Sequence, residues 1–335
     1  MFELLGISLL LAALLTFNSV ASSIIAGLWR VSGRTANNFS AAARARLLFV
    51  LRTLPPALSV LCVALLLTPS YLEYEPRHAA ETVSFKLGFL AAVSATGLAV
   101  SLIRSLATYR ATVILRNNWL RKGKRIEIPG INIDTYEIDH PFPLVGIVGS
   151  LHPRLFVAKQ VRTSLTAEEI AAAIAHENGH LAARDNLKRG ILQACRDALL
   201  IIPSGRLLDR AWADASEEAA DECAAEKGNG VALDLASALV KIARMIPPGG
   251  RPTMPAGVFL LGEENEAKGV KSRVRRLLDL AATEHQAASR RRAPAKVLVW
   301  GAGTLMLAAF IAASTNSFLL ARVHFLIEHI VFALR

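Results

Sequence analysis

Four stretches without a single charged residue constrain this chain more than anything else in it: 4–29, 53–72, 87–103 and 297–321. A helix rises 1.5 Å per residue, so about 20 apolar residues cross the hydrocarbon core of a bilayer. Within that core only helices and closed barrels satisfy every backbone N–H and C=O. The third stretch is at the short limit, where Lys86 and Arg104 can snorkel from its ends. The chain is 53% hydrophobic with a mean hydropathy of +0.39. We therefore expect a membrane α-helical protein with four transmembrane helices and one inserted α+β domain. Residues 1–109 would hold three spans and 110–292 the inserted domain. Residues 293–335 would hold the fourth span and a short apolar tail. Glu3 stands where a secretory signal carries positive charge, so the first stretch reads as an anchor.

Loop charge sets the expected orientation. Arg30, Arg34, Arg44, Arg46 and Arg52 follow the first span, and a dense run from Arg104 to Arg125 follows the third. The second loop is acidic, with Glu73, Glu75 and Glu81. The positive-inside rule then predicts that loop 30–52 and the inserted domain are cytoplasmic. The N-terminus and the tail after 321 would lie outside an inner or plasma membrane. Much of the net charge of +11 sits at these flanks. No nucleic-acid motif accompanies it, and no nucleic-acid partner is expected. Lys268, Lys271, Arg273, Arg275 and Arg276 read as a basic amphipathic helix with Val270, Val274, Leu277 and Leu278 as its apolar side. Such a helix lies against anionic lipid or packs on the domain. Cys62 falls in a span and Cys195 and Cys223 on helices of the inserted domain; they form no CxxC pair, and Cys223 reads as a small buried residue.

The chemistry-bearing segment is His176-Glu177-Asn178-Gly179-His180. Histidine supplies only 8 of 335 residues, so two at this spacing around a Glu stand out. Residues four apart share one helix face, so His176 and His180 can grip one metal ion with Glu177 beside them to handle a proton. Thr166 and Glu169 predict a capping box at the start of this helix, which runs to about 200. Gly179 costs helix stability, roughly 1 kcal/mol against Ala. It either admits a close neighbour or is simply tolerated.

Catalytic zinc sites take three protein ligands and keep a fourth position open. The best source of a third is the helix at about 206–227. There Glu217 and Asp221 are one turn apart, with alanines between. Glu217 is the candidate ligand, and Asp221 could orient a ligand histidine. The same acids, with Glu218, Glu222 and Glu226, would equally make a solvated face.

The segment 176–185, HENGHLAARD, resembles the HExxHxxxxD signature of integral-membrane gluzincins. EEAAD, 217–221, resembles their second signature, a Glu four residues before an Asp. The pair is similar to that of the signal-transducing peptidases of the β-lactam-sensor type (BlaR/MecR). It is also similar to that of the related HtpX and CAAX-endopeptidase group. Residues 141–160 resemble the strand region that precedes HExxH in the former. The resemblance, over about 110–285, implies zinc bound by His176, His180 and Glu217, with Glu177 as catalytic base. It implies supporting roles for Asp185 and Asp221. The tail after 321 leaves no room for an external β-lactam sensor.

Strands are expected at 111–115, 125–128, 131–138, 144–148 and 154–158. Helices should follow at 167–200, 206–227, 231–246 and 268–282. One of the runs 144–149 and 154–158 is expected to be the sheet edge that pairs with substrate. Loop 247–257 reads as a boundary or a mobile cover. His140, His152 and Tyr136 are candidate oxyanion donors. The expected activity is a zinc-dependent endopeptidase cleaving cytoplasmic or membrane-proximal polypeptides, in signalling or membrane-protein quality control. The alternative is a membrane transducer that uses the zinc domain to hold a partner without turnover. Expected partners are a polypeptide substrate and the lipid bilayer, with self-association left open.

Overall fold

A computed structural model describes residues 2–77, 83–128, 133–199, 205–228, 230–246, 258–260, 267–282 and 295–333. Loop 247–257, Glu81 and the start of the expected strand 131–138 lie outside them. Three helices are long and apolar enough to cross a membrane. Helix α1 spans Phe2–Ser32. Helix α2, Ala41–Cys62, continues through a π-helical turn, Val63–Leu67, into α3, Thr68–Tyr74. Helix α4 spans Phe85–Lys122. Exposed Leu4, Ile7, Ile24, Leu28, Phe89 and Leu102 on these helices present the apolar surface that lipid would cover.

Two expectations change here. The run 111–115 is helical, as the lower part of α4. Its β-branched residues favour strand locally, but no Gly or Pro interrupts 98–122, so the helix continues to Gly123. The expected fourth span is not one straight helix. Helices α11, Ala295–Ser314, and α12, Ser317–Ala333, are bent by 83° at their junction. The junction reads Ser-Thr-Asn-Ser, residues whose side chains compete for backbone groups. The Asn316 side chain accepts from Leu319 N and caps α12. The short apolar tail expected after 321 is helical through Ala333 as part of α12, whose Ile327 and Val331 pack with Leu67 and Tyr71.

The inserted region carries a five-stranded mixed sheet: β1 (Lys124–Ile126), β2 (Thr135–Ile138), β3 (Val145–Val148), β4 (Arg154–Ala158) and β5 (Val258–Leu260). The order is β1-β2-β4-β3-β5, with only β2 and β4 parallel. Neither expected edge is one: β4 lies between β2 and β3, and β5 pairs along the outer side of β3. Sequence could not show this, because β5 lies some 110 residues beyond β3 and only three residues pair. Helix α5 (Lys159–Ser164) follows the sheet. Then come α6 (Ala167–Ala183), α7 (Asp185–Ala198), α8 (Arg206–Ala225), α9 (Val231–Met245) and α10 (Ala267–Ala282). The main core packs Leu155, Phe156 and Val157 of the sheet with Ala173 and Ile174 of α6 and Leu235 and Leu239 of α9. Glu169 closes the capping box with Thr166 and also meets Ser237 and Lys241, tying the start of α6 to α9.

The α2 end nearest the first loop is fastened to α8. Arg52, 1% exposed, donates from Nε to Asp209 at 3.0 Å. Arg44 pairs with Glu218, and Ala41 N donates to Glu222. Loop 30–52 and the helix carrying Glu217 are therefore on one side of the three long helices. Ser70 and Tyr74 bond to Leu320 and Ser317 at the opposite end.

Candidate metal centre

His176 and His180 lie one turn apart on α6, and their Nε2 atoms face each other at 3.1 Å. Glu217 on α8 reaches both, with Oε2 3.6 Å from His176 Nε2 and Oε1 3.7 Å from His180 Nε2. All three ligand atoms lie within 4.8 Å of one another, and the group could hold a metal ion. Among the described residues it is the only such cluster of His, Cys, Asp and Glu.

Each histidine is oriented by a carboxylate. His176 Nδ1 stands 2.9 Å from Asp221 Oδ1, and His180 Nδ1 stands 2.9 Å from Asp185 Oδ2. A carboxylate accepts only, so each Nδ1 carries the proton and each Nε2 keeps its lone pair for a metal. Burial holds both imidazoles below their ordinary range. That favours the neutral form a ligand needs.

Asp185 reaches His180 because the helix expected over 167–200 breaks. Residues five apart on one helix point about 140° from each other and cannot meet. Arg184 adopts φ 56°, ψ 41° and separates α6 from α7. It is the only described non-glycine residue with positive φ. Such a conformation costs a side chain roughly 1–2 kcal/mol. The turn brings the Asp185 carboxylate back over His180. Asn186 anchors it by donating to the Ile147 and Gly149 carbonyls of the β3 end.

Packing leaves little room for a side chain at Gly179. A Cβ there would lie 3.0 Å from Ala220 Cα and 3.3 Å from Ala220 Cβ. Helices α6 and α8 touch backbone to backbone at this point, between the two histidines. The register on α8 follows: Glu217 and Asp221 face α6, whereas Glu218 and Glu222 face Arg44 and Arg276. The acidic run is therefore mostly committed to partners rather than forming a solvated face.

Arg273 on α10 was not among the expected site residues. It is 6% exposed and grips Asp221 at 3.0 and 2.6 Å and Glu217 Oε2 at 2.9 Å. Burial alone would push the Asp221 carboxyl up; Arg273 and His176 outweigh it and hold Asp221 ionised far below its usual range. The sequence did hold a signal. Arg273 sits at helical spacing between Val270, Val274 and Leu277, inside the apolar stripe where a charge needs a partner. Of the two placements expected for this basic stretch, Arg273 and Arg276 take the one packed on the domain.

Glu177 is fully buried. Neither of its oxygens makes a hydrogen bond of normal geometry, although the Ile147 backbone N–H faces it. Burial, and then the nearby Glu217, raise its carboxyl well above the usual range. Tyr136 stacks on Phe156 and His140 bonds to Phe142. His152 lines a groove between α4 and α7. Among the described residues, no contact joins any of the three to the histidine pair.

No family model matches this chain, and no curated protein matches it. Metal content checks the candidate centre directly. Glu217→Ala should lose the bound metal, measured by elemental analysis of the purified protein, while Glu218→Ala keeps it. Gly179→Ala should weaken metal affinity, because Ala220 is backbone and must shift. Gly190→Ala, with nothing within 4 Å of its Cβ position, should instead raise thermal stability by about 0.4–1 kcal/mol.

Proposed function

We propose that the protein is a membrane-embedded, zinc-dependent endopeptidase of the gluzincin type that cleaves cytoplasmic or membrane-proximal polypeptides. The observation that carries this reading is the meeting of a two-histidine, one-glutamate donor set with a fully buried carboxylate that makes no hydrogen bond of normal geometry. A buried polar group left unpaired is costly, and such groups concentrate where protons move. The donor set suits zinc. Two nitrogens at 2.0–2.1 Å from a tetrahedral zinc stand roughly 3.3 Å apart, close to the observed 3.1 Å.

When bound, zinc would polarise a peptide carbonyl and lower the pKa of its water toward about 7. The remaining chemistry belongs to the chain. Asp221 and Asp185 hold the ligand imidazoles in one tautomer. Glu177 takes the proton from the attacking water and delivers it to the leaving amine. Arg273 holds Glu217 and Asp221 in place against their mutual repulsion.

The likeness of 176–185 and 217–221 to the BlaR/MecR and HtpX signatures supports the same reading. The attachment of loop 30–52 to α8 agrees with both lying in the cytoplasm, with the N-terminus outside.

Two measurements test this. Glu177→Gln should keep its metal while casein cleavage falls at least about 100-fold. Loss within tenfold would remove Glu177 as the base, and a wild type that binds metal but cleaves nothing would favour the non-catalytic transducer. For orientation, cysteines at Glu73 and Leu151 are placed in a background lacking Cys62, Cys195 and Cys223. On intact cells an impermeant thiol reagent should label the first and spare the second. Labelling at Leu151 would put the metal centre outside.

A further inference from the structure

Away from the metal centre, a cavity of about 440 Å³ opens where α4, α7 and α8 meet. Its lining includes Arg104 on α4, Arg196 and Asp197 on α7, and Arg206, Asp209 and Arg210 on α8. The size is that of a small-ligand site.

Its position is specific. Residues 87–103 of α4 carry no charge, and Leu98, Leu102 and Ile103 are exposed apolar residues at the lower end of that run. Arg104 is the first charge after them, and Val100, one turn above, also lines the cavity. The cavity therefore sits at the level where the lipid-facing surface of α4 gives way to polar chain. Phospholipid headgroups occupy that level.

Its charge is also specific. Asp197 is held by Arg104 at 3.2 Å, and Asp209 by Arg52 at 3.0 Å from behind. Arg196 lies 3.9 Å from Asp197 and 3.7 Å from Asp209. Five guanidinium groups against two carboxylates leave three positive charges. Arg206 and Arg210, one turn apart and exposed, make no ion pair among the described residues. The cavity also meets the first turn of α8, whose N-cap, Gly205, offers no side-chain cap to the free N–H groups. Helix N-termini and paired arginines both suit phosphate oxygens. Arg52, buried behind Asp209, packs closely on Gly205, and its two terminal nitrogens have no hydrogen-bond partner among the described residues.

We propose that this cavity binds a phosphate-bearing group, and that its source is the headgroup of an anionic phospholipid in the adjoining leaflet. The lipid would bridge α4 to α7 and α8 through Arg104, Arg206 and Arg210. The basic stretch on α10 leaves this role open, since Arg273 and Arg276 turn inward to Glu217, Asp221 and Glu222.

The test uses the full-length protein in neutral detergent and follows its thermal midpoint by tryptophan fluorescence. Short-chain phosphatidylglycerol should raise the midpoint saturably, because a ligand selective for the folded state stabilises it. Phosphatidylcholine of the same chain length and inorganic phosphate should not. Arg206→Gln/Arg210→Gln should need about 10- to 30-fold more phosphatidylglycerol for the same shift. Arg121→Gln/Lys122→Gln, exposed on α4 beyond the cavity, should behave as wild type. If the first double variant does not melt cooperatively, Arg210→Gln alone carries the test. An equal response to phosphatidylcholine, no saturable response in wild type, or equal loss in the control variant would overturn the site. A full response to inorganic phosphate alone would overturn the lipid as its source.

Discussion

The backbone contact between Gly179 and Ala220 is the constraint on which the rest of the centre depends. Two helices far apart in sequence must supply ligands to one point, and side chains of Glu and His length converge only if their axes are close. A helix pair is ordinarily 8–10 Å apart, set by the side chains between. Removing the Cβ at 179 lets α8 come in to van der Waals contact with α6. Glu217 and Asp221, flanking Ala220, then fall on either side of the His176 ring.

Helix α8 is consequently crowded with charge, and its neighbours are arranged to neutralise it. Arg52 and Arg44 come from α2, and Arg273 and Arg276 from α10. The buried pairs among them, Arg52–Asp209 and Arg273–Asp221, add little net stability over apolar packing, but removing one partner strands the other. They fix the rotation of α8, which decides whether Glu217 or Glu218 faces the histidines. The helix that completes the candidate metal centre is thus clasped on one side by α2, which is long and apolar enough to cross a membrane, and on the other by α10. Arg184 makes the same trade on α6, where unfavourable backbone geometry positions Asp185 behind His180.

The sequence by itself determined whatever depends on geometry within one segment. Three of the four uncharged stretches are helices of spanning length. Thr166 and Glu169 form their capping box. The four-residue spacing of His176 and His180 places both on one face, and the same spacing gives Glu217 and Asp221 a shared face. Even the break at 315–316 was written locally, in four consecutive cap-forming residues.

Tertiary structure alone decided what lies between segments. Whether Glu217 meets the histidines or water depends on the rotation of α8, set by Arg44 and Arg52 some 160–170 residues earlier. Asp185 reaches His180 only through a strained turn at a residue type that gives no local warning. The run 111–115 favours strand by propensity and is helical because α4 reaches it unbroken from its long apolar first half. β3 looks like an edge until β5 pairs with it. Arg273 reads as surface charge until α10 is docked. In each case the deciding free energy comes from burial and ion pairing across long loops, which intrinsic preferences of well under 1 kcal/mol per residue do not encode.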